Sequence, residues 1–491
     1  MECAAGMSHS PPTTHRLYPL LYLLVLTTGA LAIWLATTTR PNAHPDENIH
    51  VDAFCYFEQH AWPPPLNRDG LRYSPDGWSR VYSGEAVYIL YGQLGRVLKP
   101  LIGEGGLLHP TPRLADGPRI YLPLLADSST CVLDYRLYRL LNSLLWIATL
   151  AALITAGRRH RALLSLALLL CSLPQVVYLY AYANSDAWAL SMSALLAAFA
   201  LTRRSAGGLQ HRDLLGMGLL TGLLLLAKPS QWIVLPLCYL IWLWSPRPDG
   251  QPPATPNLRR VVTQAGATLL IGFLIALPLK GLYPLAQGDY PRRLLEMREA
   301  RARPDLRPST LLDPANRPAL QRNLSNTQLL REWLSTSLES FYGRFGYLEI
   351  RLPGWVYASA ALLLLGGVGL SVAGPLRRRR DLSGQDRTLL AATLLFLLLP
   401  LPISLRSSWT ALAAPDATAW LPVLLNPGPV VDIQPQGRFL YAALIPLALL
   451  LSRAAQESRR GRHIYVGLWT ALLLLSHYAL FSTFVVNGAL R

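Results

Sequence analysis

Apolar runs close to twenty residues long recur from residue 17 to residue 486, and no other feature restricts the fold of this chain as strongly. A helix needs about 20 such residues to cross the hydrocarbon core of a bilayer. A backbone placed there must satisfy its own hydrogen bonds, which leaves helices or closed barrels. The runs read as about eleven spans, at residues 17–38, 134–156, 162–181, 186–202, 212–227, 231–245, 261–283, 354–375, 387–405, 438–455 and 463–486. Those at 186–202, 212–227 and 231–245 are short for a full crossing. The expected fold is an all-α polytopic membrane protein with about 11 transmembrane helices. No small-residue cleavage site follows the first run, so it reads as a retained helix rather than a signal peptide.

Charge placement supplies the orientation. Charged residues make up 15% of the chain, against roughly 25% in soluble domains. The net charge of +17 does not indicate nucleic acid, because many arginines cluster in short connections between apolar runs. Arg158, Arg159 and Arg161, Arg203 and Arg204, Arg259 and Arg260, Arg377 to Arg380, and Arg453 with Arg459 and Arg460 fall in alternate loops. Cytoplasmic loops carry such an excess of arginine and lysine. The N-terminus is then cytoplasmic and the C-terminus extracytoplasmic. The chain divides into a tail at 1–16, a transmembrane module at 17–283 that includes an outer loop at 39–133, a second outer loop at 284–352, and a C-terminal module at 353–491 with an outer loop at 406–437. Within the first loop, residues 84–102 place apolar side chains at helical spacing, the pattern of an amphipathic helix lying in the membrane interface. Helical spacing also runs from about Leu329 to Phe341 in the second loop. Cys55 and Cys131 share the first loop. If it is extracytoplasmic they are candidates for a disulfide worth ~4 kcal/mol on chain-entropy grounds, provided that the two sulfurs meet.

Three groups of residues have the chemistry of a site. His44-Pro45-Asp46-Glu47 places two carboxylates just beyond the first span. They either face water at a helix end or serve as a general base toward an acceptor hydroxyl or amine. Asn184-Ser185-Asp186 forms the turn between two adjacent spans. Those residue types favour turns and helix caps. Asp186 with Asp46 would also suffice to hold a divalent cation or to divide the roles of base and orienter. Lys228, Arg344 and Arg438 supply cations near the outer face. They either snorkel to the interface or bind phosphate, which a guanidinium pairs bidentately. His44, His50 and His60 match no zinc spacing, and no glycine-rich phosphate loop is present.

Taken together, these residues resemble a known superfamily. His44-Pro45-Asp46-Glu47 after the first span looks like the first-loop acidic motif of the GT-C integral-membrane glycosyltransferases. Asn184-Ser185-Asp186, Ala227-Lys228-Pro229, Ser340-Phe341-Tyr342-Gly343-Arg344-Phe345-Gly346 with Leu352-Pro353-Gly354-Trp355, and Gln436-Gly437-Arg438-Phe439 are similar to one branch, the domain-of-unknown-function 2142 family of predicted membrane proteins. The resemblance implies transfer of a sugar from a polyprenyl-phosphate donor to a cell-surface glycan, lipid or protein, on the extracytoplasmic face of the cell's inner (plasma) membrane. It implies that Asp46 is catalytic, with Glu47 as its rival. It implies that Lys228 and Arg438 hold the lipid phosphate, and that the second acidic loop, here Asn184 and Asp186, helps bind a divalent cation (Mg or Mn) together with Asp46. One carboxylate expected there is the amide of Asn184, which weakens the argument for a metal. Two other classes remain open. A transporter or flippase of lipid-linked substrates would bury ionisable groups at the midplane and show inverted repeats. A glycan polymerase or ligase would depend on arginine rather than on a first-loop acid.

Overall fold

The structure is a computed structural model that describes residues 18–40, 43–102, 135–158, 160–203, 211–244, 258–304, 307–312, 327–346, 348–377, 384–402, 409–411, 430–433, 436–454 and 459–488. Helical structure stands at each of the apolar runs: α1 (Tyr18–Thr38), α4 (Tyr135–Gly157), α5 (Arg161–Ser172) with α6 (Pro174–Tyr180), α7 (Asp186–Arg203), α8 (His211–Leu225), α9 (Val234–Trp244), α10 (Leu258–Leu277), α15 (Gly354–Arg377), α16 (Gly384–Leu398), α17 (Leu444–Ala454) and α18 (Arg459–Leu480). By length and composition 4 segments suffice to cross a membrane, Tyr135–Gly157, Val262–Ala286, Gly354–Ala373 and His463–Val486, or up to 5 if the bent pair α5–α6 is one span. The chain is thus a predominantly helical multipass membrane protein. Departures from helix among the described residues include two antiparallel strand pairs, β1 (Arg344–Phe345) with β2 (Ile350–Arg351) and β3 (Trp409–Ala411) with β4 (Val430–Ile433).

The predicted span at 162–181 is one run in sequence but two helices in space. Leu173 is extended (φ −101, ψ 107) and the axes of α5 and α6 meet at 81°. Proline at 174 has no N–H to continue the helix, and its ring disfavours helical geometry at the residue before it. The bend directs α6 inward and delivers the turn at 181–185 to the loop that follows α1, where the Ala183 N–H donates to Glu47 Oε1 at 3.1 Å.

Membrane-type packing is visible between α8 and α10. A Cβ on Gly218 would lie 2.7 Å from Ile271, and one on Gly222 would lie 2.7 Å from Ile275. This spacing of small residues lets two helix backbones approach closely in lipid, where dispersion rather than water exclusion drives association. Elsewhere the helices carry open apolar faces, with Leu26 of α1 71% exposed and Leu362 and Leu365 of α15 74% and 71% exposed. An apolar exterior of that kind suits hydrocarbon better than water.

The described parts of the first and second long loops pack against one another. The helix predicted at 84–102 is α3 (Ala86–Ile102), packed along α2 (Glu47–Gln59) through Phe54, Tyr88 and Tyr91. Leu90, Leu94 and Val97 stay exposed on its other side, as an interfacial helix requires. The chain leaving α2 is fastened to α11 (Tyr283–Ala286), which ends the candidate span Val262–Ala286, and to the second loop, which contains α12 (Tyr290–Arg301) and α13 (Pro308–Leu312). Tyr283 Oη donates to Pro64 O at 2.8 Å, the Leu66 N–H donates to Gln287 Oε1 at 3.1 Å, and Arg298 pairs with Asp76 at 3.2 Å. The helical pattern near 329–341 is α14 (Thr327–Tyr342). Cys55 is buried in α2, and the proposed disulfide partner Cys131 lies outside the described residues.

Candidate functional site

Asp46 and Glu47 are adjacent in sequence and have different fates. Asp46 precedes α2 in a left-handed conformation (φ 57, ψ 11) and makes no side-chain cap. Short polar side chains such as Asp tolerate that region, though a non-glycine residue held there is uncommon. Its carboxylate is 38% exposed and faces Arg80 at 3.6 Å. Glu47 is the first residue of the helix and is wholly buried. Arg139 Nε donates to Glu47 Oε1 and Arg139 Nη2 to Oε2, each at 2.7 Å. The remaining guanidinium N–H groups donate to Thr39 O, Thr39 Oγ1 and Arg40 O. A buried bidentate pair with every donor satisfied is a structural clamp. It joins the end of α1, the start of α2 and α4, and it leaves Glu47 no free face for substrate.

The turn at Asn184 separates roles in the same way. Asn184 Nδ2 donates to Leu179 O and Tyr182 O, and its Oδ1 accepts from the Ala187 N–H at 3.0 Å. That is turn and cap chemistry. Asp186, two residues on, is 8% exposed. Its Oδ2 accepts from Lys228 Nζ at 2.7 Å and from Arg438 Nη1 at 3.1 Å. Lys228 follows α8 and leads into the 3-10 turn Pro229–Gln231, and Arg438 lies in the 3-10 turn Gly437–Ala443. Two cations from remote elements thus converge on one carboxylate.

The first loop completes the cluster with Arg80, Glu85 and Tyr88, which sequence reasoning had not singled out, and with His50, which it had weighed only as a zinc ligand. Arg80 belongs to the 3-10 turn Arg80–Tyr82 that faces Asp46. Glu85 precedes α3, whose first N–H, at Ala86, donates to Leu226 O at 2.9 Å, two residues before Lys228. Tyr88 Oη and His50 Nδ1 share a hydrogen bond of 2.6 Å. His50 lies one turn beyond Asp46, so the two share a face of α2. Three cations, Arg80, Lys228 and Arg438, therefore stand among three carboxylates, Asp46, Glu85 and Asp186. His44 had a weak signal as a zinc ligand. It instead stacks on Tyr182 at 4.8 Å and accepts or donates a hydrogen bond with Thr39 at 3.0 Å.

Arg344 is not part of this cluster. It pairs with Glu339 at 3.3 Å and also donates to Leu348 O and Thr336 Oγ1, which ties β1 to α14. The residues near Asp46 and Asp186 also do not fit a resident divalent cation. Asp186 is already shared by two cations, Asp46 faces a third, and a metal would have to displace ammonium and guanidinium groups in a poorly solvated site. Among the described residues no three His, Cys, Asp or Glu side chains are grouped for metal binding.

Burial, followed by the charges of Arg80, Lys228 and Arg438, holds His50 well below the usual histidine range. Burial and then Arg139 do the same to His44. Both are neutral at pH 7, whereas in the unfolded chain they protonate near 6.5. The unfolded state then binds more protons below that value, so folding stability must fall as pH drops through about 6.5. Each histidine adds a slope of up to about 1.4 kcal/mol per pH unit. Thermal unfolding in nanodiscs between pH 7.5 and 5 should show this loss. A double His44→Gln, His50→Gln variant should flatten the profile, and an unchanged slope would remove these histidines as its source.

A profile of the family Predicted membrane protein (DUF2142) matches residues 125–415. No curated protein and no solved structure matches the chain.

Proposed function

This chain belongs to the DUF2142 family of predicted membrane proteins, and from that footing we propose that it is a membrane glycosyltransferase. It moves a sugar from a polyprenyl-phosphate donor to an acceptor on the extracytoplasmic face of the cell membrane. The observation that carries this reading is the pairing of opposites in one cluster. A partly exposed carboxylate, Asp46, stands in the same cluster as two cations that Asp186 holds side by side. In this reading all eleven apolar runs contribute to the bundle, the N-terminus is cytoplasmic, and the outer-loop layer covers the site.

The reaction is a single displacement. Asp46 takes the proton from the acceptor O–H as its oxygen attacks the anomeric carbon. The bond from that carbon to the phosphate oxygen breaks, and the electron pair leaves with the polyprenyl phosphate. Lys228 and Arg438 stabilise the negative charge developing there, in surroundings where such a charge gains more than it would in water. Asp186 keeps both cations oriented before substrate arrives. Glu47 and Arg139 act at one remove, by holding the peptide that presents Asp46.

Membranes containing the protein should transfer radiolabelled sugar from polyprenyl-phosphate donors to endogenous acceptors. Arg438→Ala should raise the donor KM by about tenfold or more, because a charged hydrogen bond to phosphate is worth about 1.5–3 kcal/mol. Movement of labelled lipid across sealed vesicles with its sugar still attached would replace this reading with a flippase. Full activity in Arg438→Ala would remove the phosphate assignment.

A further inference from the structure

Among the buried polar atoms beside the ion cluster that have no hydrogen-bond partner in the folded chain are the imidazole nitrogen His50 Nε2 and the carboxylate oxygen Glu85 Oε2. His50 is 0% exposed and Glu85 is 6% exposed. An unpaired buried polar group costs about 1–3 kcal/mol, more when charged, and such atoms are rare enough to need an explanation. These two belong to one wall. His50 is bound through its other nitrogen to Tyr88 at 2.6 Å, and Tyr88 lies one helical turn after Glu85. The Ala86 N–H to Leu226 O bond fastens that wall to the segment bearing Lys228. Asp46 lies one turn before His50 on α2. Both orphaned atoms therefore adjoin the place where the reacting groups meet.

The chemistry of the pair restricts what can satisfy it. Glu85, as carboxylate, only accepts. His50, kept neutral by burial and by the cations around it, offers either N–H or a lone pair at Nε2, depending on which way the Tyr88 bond runs. A phosphate has only acceptor oxygens and would meet the Glu85 carboxylate with like charge. An apolar group would leave both atoms unpaired. A hydroxyl donates and accepts at once, and neighbouring hydroxyls on a ring serve both atoms together.

We propose that His50 Nε2 and Glu85 Oε2 recognise hydroxyl groups of the transferred sugar, so that this wall, rather than the lipid-phosphate cations, sets which sugar is accepted. The inference rests on the glycosyltransferase reading and adds the sugar subsite to it. Glu85 and His50 are specificity residues in this scheme, and Tyr88 is a positioning residue that fixes the His50 ring.

The test uses the full-length protein in nanodiscs and short-chain probes: citronellyl phosphate, and citronellyl phosphate carrying mannose, glucose or ribose. The readout is the ratio of Kd for bare citronellyl phosphate to that for each glycosyl form. Wild type should prefer at least one glycosyl form by about tenfold or more, since a site built to bond hydroxyls discriminates strongly against a ligand that lacks them. In Glu85→Gln, which keeps the shape of the side chain, and in His50→Gln, that ratio should collapse toward one. If His50→Gln does not fold, Glu85→Gln alone decides. A preference unchanged in folded Glu85→Gln overturns the proposal and leaves these atoms to buried water. A wild type that binds citronellyl phosphate without any sugar preference also overturns it, while leaving the phosphate site standing. Binding of none of the probes removes the glycosyltransferase reading and this inference together.

Discussion

Asp46→Asn is expected to lose transfer activity by roughly a hundred- to ten-thousand-fold, the range over which a positioned general base contributes, while melting within a degree or two of wild type. Glu47→Gln is expected to do the reverse in order of cause. The Asp46 side chain is partly exposed, caps no helix and has one ion-pair partner at 3.6 Å, so an isosteric amide there disturbs little of the fold. Glu47 receives three hydrogen bonds in full burial, two of them from Arg139. Removing its charge strands a buried guanidinium, a defect that costs about 3–5 kcal/mol. The Glu47 variant should therefore show a lowered Tm and a reduced yield of folded protein, and its activity loss should follow from those. Thermal unfolding and transfer measured on the same preparations separate the two. A stable, inactive Glu47→Gln beside an active Asp46→Asn would exchange the roles assigned here.

The second large effect is expected at Gly437. A Cβ built there would lie 1.9 Å from Phe341 N and 2.4 Å from Phe341 Cα, both backbone atoms at the end of α14. Backbone cannot swing aside as a side chain can, so Gly437→Ala must push the 3-10 turn away from α14. The Gly437 N–H bond to Ser340 Oγ, 2.6 Å long, would be lost in the process. Arg438 is the next residue, and its contact with Asp186 depends on where that turn sits. We expect destabilisation of about 3 kcal/mol or more, at or beyond the top of the usual range for overpacking, and loss of donor binding in whatever protein folds. Ser340→Ala provides the comparison. It removes the hydroxyl that accepts from the Gly437 N–H and donates to Ser337 O, adds no clash, and should cost about 1–3 kcal/mol for the unpaired N–H while leaving Arg438 in place. Equal behaviour of the two variants would show that the close approach at Gly437 is not what positions the arginine.

Some of this site was legible in the sequence and some was not, and the division follows a physical line. Asp46, Asp186, Lys228 and Arg438 are polar residues at the ends of apolar runs, and that contrast is a local property. Arg80 and Glu85 lie inside a loop where charged residues are ordinary, and nothing near them in sequence marks them as different from Arg68 or Arg72. Arg139 did carry a signal. It is an arginine in the first turns of an apolar helix, and a charge at such a depth needs a partner. Its partner could not be read, because Glu47 is 92 positions away. Choosing between Asp46 and Glu47 was also beyond a linear reading. Successive residues entering a helix diverge by about 100°, so one of two neighbouring carboxylates faces the core and the other the site.

The sequence by itself determined that this is a multipass helical membrane protein and where its helices lie. Length and hydropathy decide that segment by segment, against a solvent that is the same for every segment. It did not disclose the interruption at Pro174, because hydropathy runs unbroken from 162 to 181 while the missing N–H acts on the backbone and not on polarity. Only the tertiary structure decided which charges meet. Asp186 gathers Lys228 from 42 positions away and Arg438 from 252, while Arg344, equally basic, is spent on holding a strand to a helix. A charge withdrawn from water must be paired with whatever packing places beside it, and that neighbour is set by how helices assemble in three dimensions rather than by anything adjacent along the chain.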